Sequence, residues 1–106
     1  MTAYVIYHYK IIDRERVSEL RAPSEELDKL YGGELVVASP VKHLEGSGFT
    51  HMVMKKFDSF QSAQVYFNSD EHQALSKLRN EITEGWSTIV PGIMETELVV
   101  QSGYFD

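Results

Sequence analysis

Val65-Tyr66-Phe67-Asn68-Ser69-Asp70-Glu71-His72-Gln73-Ala74-Leu75 is the stretch whose reading decides the fold. An aromatic helix end runs into Asn68-Ser69, two residue types that leave one helix and cap the next. Upstream, Phe60, Ala63, Tyr66 and Phe67 recur at helical spacing behind a cap at Asp58 or Ser59. Downstream, Ala74, Leu75, Leu78 and Ile82 form one apolar stripe, which Gly85 is expected to end.

Working outward, Phe49–Phe57 reads as a strand before this helical region. Phe49, His51, Val53, Lys55 and Phe57 share one face, and Thr50, Met52, Met54 and Lys56 the other. Gly46-Ser47-Gly48 is the turn ahead of it, and Leu35–Leu44 is the preceding strand, marked by Pro40 as an edge or a bulge. Gly32-Gly33 closes a helix carrying Val17, Leu20, Leu27, Leu30 and Tyr31. Asp13 is its expected N-cap, and Pro23 is expected to break it near Ala22. Ala3–Ile12 is a first strand, apolar on both faces and so central in its sheet. Trp86–Val90 is a fourth strand, stopped by Pro91-Gly92, and Glu97–Val100 reads as a short fifth one.

The fold class is therefore α+β, in the ferredoxin-like order β-α-β-β-α-β: an antiparallel four-stranded sheet with two helices on one face. The other sheet face carries apolar side chains that need a cover. Two such sheets face to face make a dimeric α+β barrel, so a homodimer is expected, with Met52 and Met54 in its apolar interface. Residues 1–93 form this domain, and 94–106 a C-terminal extension.

Composition narrows the partners. The 106 residues carry a net charge of −6, and Lys55-Lys56 is the densest basic spot. Nucleic acid and anionic membrane surfaces are disfavoured, because both demand clustered Lys and Arg. Cysteine is absent, which excludes disulfides, thiolate metal sites and cysteine nucleophiles. No apolar run approaches the roughly 20 residues of a spanning helix. No signal peptide is read, so a cytoplasmic location is expected.

The ordered set Asp13-Arg14-Glu15, Arg21-Ala22, Gly32-Gly33, Glu45-Gly46, Phe67-Asn68-Ser69-Asp70-Glu71-His72-Gln73 and Leu78-Arg79 resembles the domain-of-unknown-function family 1330. That family lies within the dimeric α+β barrel superfamily. The resemblance spans roughly Ala3 to Gly92, and it implies the fold and the dimer. It departs where Arg14 and Asp70 stand for Pro, His72 for an aromatic residue, and Val17 and Leu20 for residues that are often Tyr. It brings no chemistry of its own, and related barrels include cofactor-free monooxygenases, isomerases, haem-degrading enzymes and sensing modules.

Five residues are candidate ligand-binding groups. His51, mid-strand among apolar neighbours, is the candidate catalytic residue, as a general base or a partner for a carbonyl. The alternative reading is a core or interface histidine satisfied by one hydrogen bond. His8 is in the neighbouring strand, where the two rings are within mutual reach. Arg21 offers a clamp for a carboxylate, or else an i, i+4 pair with Glu25. Asn68 and Ser69 can aim backbone N–H groups at an anion, or simply cap. Arg79 reads as structural, with Glu71 or a partner chain as its mate. His43 and His72 lack ligand spacing, so no metal is expected, and no cofactor. Gly46-Ser47-Gly48 lacks the ending of a phosphate loop, and there is no serine-hydrolase elbow.

Three functions fit. One is a cofactor-independent enzyme acting on a small organic compound with a carbonyl or carboxylate. Another is a small-ligand-binding or sensing module. The third is a structural dimer. If a site exists, it is expected between sheet and helices, with His51 at its floor and Arg21, Asn68 and Ser69 at its rim.

Overall fold

β-Branched and aromatic residues alternate through Ala3–Ile11, and this segment forms the first strand, β1. The computed structural model describes residues 2–92. Ala3, Val5 and Tyr7 are buried on one face of β1, while Tyr4, Ile6 and His8 between them are half-buried on the other. A 3₁₀ helix follows over Arg14–Leu20, and the helix α1 over Arg21–Tyr31. The break expected at Pro23 thus falls at Leu20, which leaves Pro23 in the first turn of α1, where a missing N–H is harmless. The Asp13 side chain makes no cap hydrogen bond; its backbone oxygen accepts from the Arg16 N–H. Gly32 ends α1 in the left-handed conformation, at φ 75°.

The edge strand β2 covers Glu34–Pro40, with a bulge between Leu35 and Val37. It stops short of the expected Leu44: Pro40 gives the ladder no N–H, and the Val41 N–H, which donates to the Thr50 carbonyl oxygen at 3.0 Å, follows the last paired residue. β3 covers His51–Phe57. Ser59 opens α2, Phe60–Asn68, by accepting from the Ser62 N–H. Ser69 accepts from the His72 N–H and starts α3, Asp70–Ile82. The break read at Asn68-Ser69 is present, so the second helical region is two helices, and there are three α-helices in all among the described residues.

The last described strand, β4, covers Thr83–Pro91. Gly85 lies inside it rather than at a helix end. A Cβ there would overlap the His8 carbonyl oxygen and stand 2.7 Å from Tyr9 Cα. Only glycine permits that approach of two backbones. The expected strand Glu97–Val100, and the extension 94–106 with it, lies outside the described residues.

The sheet order is β2-β3-β1-β4, and every neighbouring pair is antiparallel. The helices pack on one face only. The core between them joins Ala3, Val5, Tyr7 and Phe57 of the sheet to Leu27, Ala63, Tyr66 and Leu75 of the helices. Trp86 stands on the opposite face, 55% exposed.

Candidate functional site

The alternation of β3 places Val53, Lys55 and Phe57 toward the helices. A lysine there is anomalous, since lysine is almost never fully buried without a partner. Lys55 is 4% exposed. Its Nζ donates to Asp28 Oδ1 at 2.8 Å and to the Tyr66 hydroxyl at 3.2 Å. Asp28 comes from α1, one turn before its glycine cap. Its second carboxylate oxygen has no hydrogen bond among the described residues. Burial raises the Asp28 pKa above its ordinary value, against the opposing effect of Lys55.

From Lys55 a chain of hydrogen bonds crosses the core. The Tyr66 and Tyr7 hydroxyls are 2.9 Å apart, and Tyr7 is also 2.9 Å from His72 Nε2. An ammonium only donates, so the Tyr66 oxygen accepts from Lys55. Either hydroxyl can donate in the Tyr66–Tyr7 contact, and Nε2 donates to or accepts from Tyr7 according to the tautomer of the ring. The other ring nitrogen, Nδ1, is 3.2 Å from Ser76 Oγ. Burial, together with the charges of Arg79 and Lys55, lowers the His72 pKa to about 4, so the ring is neutral at pH 7. Burial pushes the Tyr7 hydroxyl up to about 12, and Tyr66 is raised by the same cause.

Arg79 completes the set. It lies one turn after Leu75 on the inward face of α3, with its guanidinium carbon 4.7 Å from the Tyr7 ring centroid. It donates to Ser76 Oγ at 3.2 Å. No carboxylate pairs with it among the described residues. The expected mate Glu71 instead accepts from the Tyr31 hydroxyl at 2.6 Å. Burial lowers the Arg79 pKa, yet an arginine in a protein keeps its charge.

Tyr7, Asp28, Lys55 and Arg79 line one end of a cleft of about 340 Å³. Val17, Leu20, Leu35, Ala38, Val53 and Leu75 supply most of its remaining wall. The polar end holds two cations and one carboxylate. An apolar pocket with a few convergent polar groups is the ordinary make-up of a small-molecule site.

The five sequence candidates do not converge here. Arg21 lines the cleft, but its side chain is 85% exposed and pairs with Glu25 at 3.2 Å. His51 lies on the helix side of the sheet, stacked on Tyr9 at 5.6 Å and bonded through Nδ1 to Thr50 Oγ1. Tyr9 stands in the cleft wall and His51 does not, so the floor is Tyr7, Val53 and Lys55. His8 is on the opposite sheet face, between Phe49 and Trp86, with Nδ1 buried and without a hydrogen bond among the described residues. Strand alternation thus separates the two rings expected to meet. Asn68 and Ser69 lie away from the cleft, and Ser69 serves as the helix cap. The residues that do line the polar end were legible only as anomalies: Lys55 on a core face, and Arg79 in step with His72 and Leu75.

No group of residues fit to hold a metal ion occurs among the described residues, and no helix there is long and apolar enough to cross a membrane.

The family model described as a domain of unknown function, DUF1330, matches residues 2–93. Solved structures share the fold. A protein of unknown function from Rhodopseudomonas palustris is 10% identical with a TM-score of 0.69, over 89% of this chain and 84% of that one. A dimeric ferredoxin-like protein of unknown function from Jannaschia is 15% identical with a TM-score of 0.65, over 89% and 100%. SnoaB, a cofactor-independent oxygenase from Streptomyces nogalater, is 2% identical with a TM-score of 0.57, over 90% and 96%. No protein of curated function matches the chain by sequence.

Proposed function

The chain belongs to the DUF1330 family, and on that premise we propose that its cleft binds a small, largely apolar organic acid. The observation that carries this reading is Arg79: a half-buried guanidinium in the cleft wall with no carboxylate partner among the described residues. Lys55 is already neutralised by Asp28. The polar end therefore lacks one negative charge, which a ligand carboxylate supplies. Guanidinium and carboxylate match as a planar, two-pronged pair. The aliphatic wall takes the rest of the ligand.

The reading extends to a homodimer and leaves the site free of any tightly held cofactor. Solved relatives of the fold are themselves dimeric ferredoxin-like proteins. Tyr4, Ile6, Met52, Met54 and Trp86 are the apolar residues that would meet on the uncovered sheet face. A cofactor-independent oxygenase of the same fold supports small-molecule chemistry in such a cleft without defining it.

Titration of the protein with phenylacetate and its neutral amide, followed by NMR, tests the reading. The acid is expected to bind saturably and about tenfold or more tightly than the amide, since one charged hydrogen-bonded contact contributes over 1.4 kcal/mol. Arg79→Met should abolish that preference. Equal binding of acid and amide by the native protein would refute the proposal.

A further inference from the structure

We propose that Asp28 is a general base and that the cleft catalyses keto–enol tautomerisation of a 2-oxo acid with an apolar side chain. This rests on the organic-acid reading above and adds a reaction to it.

Geometry assigns the base. Asp28, at the polar end, has a carboxylate oxygen free of hydrogen bonds among the described residues, while Lys55 fixes the other oxygen at 2.8 Å. The Asp28 side chain is 13% exposed, enough for a ligand in the cleft to reach it and little enough to keep bulk water from it. Its raised pKa suits a group that must accept a proton. Arg79 and Lys55 stand 4.7 and 5.8 Å from the same Tyr7 ring centroid, so both cations serve one end of the cleft. With the ligand carboxylate on Arg79, the 2-oxo oxygen beside it falls toward Lys55. Lys55 has three N–H donors, of which Asp28 and Tyr66 take two.

The step balances without an external reagent. Asp28 takes a proton from the carbon next to the carbonyl. The C–H electron pair becomes the carbon–carbon double bond, and the carbonyl π pair moves to oxygen. The enolate oxygen then takes a proton, returned from the Asp28 carboxyl, and the carboxylate is restored. Negative charge passes from Asp28 to the enolate oxygen, and Lys55 lies beside both. The site therefore holds the charge at either end of the step with little reorganisation, which is how preorganised cations lower such a barrier. The Tyr66–Tyr7–His72 chain holds Lys55 and, through Ser76, Arg79; these are positioning residues.

Phenylpyruvate is the probe, with its apolar ring, carboxylate, carbonyl and enolisable carbon. Deuterium exchange at that carbon, followed by NMR, and enol formation, followed by ultraviolet absorbance, should be accelerated saturably over buffer. Asp28→Asn should slow exchange by about 100-fold or more, the usual contribution of a positioned base. Its amide oxygen still accepts from Lys55, so phenylpyruvate binding should stay within a few-fold, and circular dichroism checks the fold. Asp28→Glu should recover part of the rate, whereas a merely structural loss would lower binding as well. Saturable binding with exchange no faster than in buffer would overturn the reaction and leave the binding reading intact. Exchange undiminished in Asp28→Asn would overturn the assignment of the base. Absence of binding by phenylpyruvate and phenylacetate alike would overturn both.

Discussion

Tyr7 and His72, 65 positions apart in sequence, meet in the core with the tyrosine hydroxyl 2.9 Å from Nε2. Both are at least 95% buried, so neither finds water if the other is removed. This contact ties the central strand β1 to the helix α3.

Tyr7→Phe should therefore destabilise the fold by about 1–3 kcal/mol, because it takes a hydrogen-bond partner from both buried groups, His72 Nε2 and the Tyr66 hydroxyl. Chemical denaturation measures this. A loss below about 0.5 kcal/mol would mean that the hydroxyls and the imidazole relax into other pairings.

His72 also predicts a dependence on pH. The native ring titrates at about 4 and the unfolded ring near 6.5. Between these values the unfolded chain binds more protons, so stability falls as pH falls from 6.5 to 4 and levels off below. The full contribution is about 3 kcal/mol. Asp28, whose pKa is raised, acts with the opposite sign above the ordinary carboxylate value. The clean measurement is thus the difference between native protein and His72→Gln, which keeps an acceptor for Tyr7 but no titrating ring. Parallel stability curves for the two would contradict a buried neutral His72.

Lys55→Met leaves Asp28 without its cation in a largely buried place, and should cost about 2 kcal/mol or more. The double variant Lys55→Met, Asp28→Leu removes both charges and should recover most of that loss. If the double variant is as unstable as the sum of the single ones, the pair is not the unit that the 2.8 Å contact indicates.

Gly85→Ala should cost at least about 2 kcal/mol, since the new methyl would overlap the His8 carbonyl oxygen across the β1–β4 ladder. A stability within 0.5 kcal/mol of native, by the same denaturation measurement, would mean that the two strands separate freely there.

Light scattering at micromolar concentration should find a homodimer, and Trp86→Asp should shift it toward monomer by placing a charge on the uncovered sheet face. A folded native monomer at high concentration would refute the dimer outright. An unaffected dimer in the variant would move the interface off this face.

Among the described residues, sequence alone determined the four strands, the α-helices and their order, because each is written in local terms; the 3₁₀ helix before α1 was not legible in it. Alternation marked β1 and β3, Gly32 in its left-handed turn ended α1, and Ser69 capped α3 through a side chain three residues from its partner. Local rules failed where the decisive neighbour is remote. Gly85 read as a helix stop because the His8 carbonyl that demands a glycine belongs to another strand. His8 and His51 read as neighbours because pairing of strands was legible, while the face each ring takes depends on the register Tyr9↔His51. The same holds for the cleft. Lys55, Asp28, Tyr66, Tyr7, His72 and Arg79 are spread over five elements, and only His72 and Arg79, two turns apart on α3, share one. What joins them is the cost of burying a charge or a hydroxyl unpaired, and that cost exists only once the sheet and the helices have closed over one another.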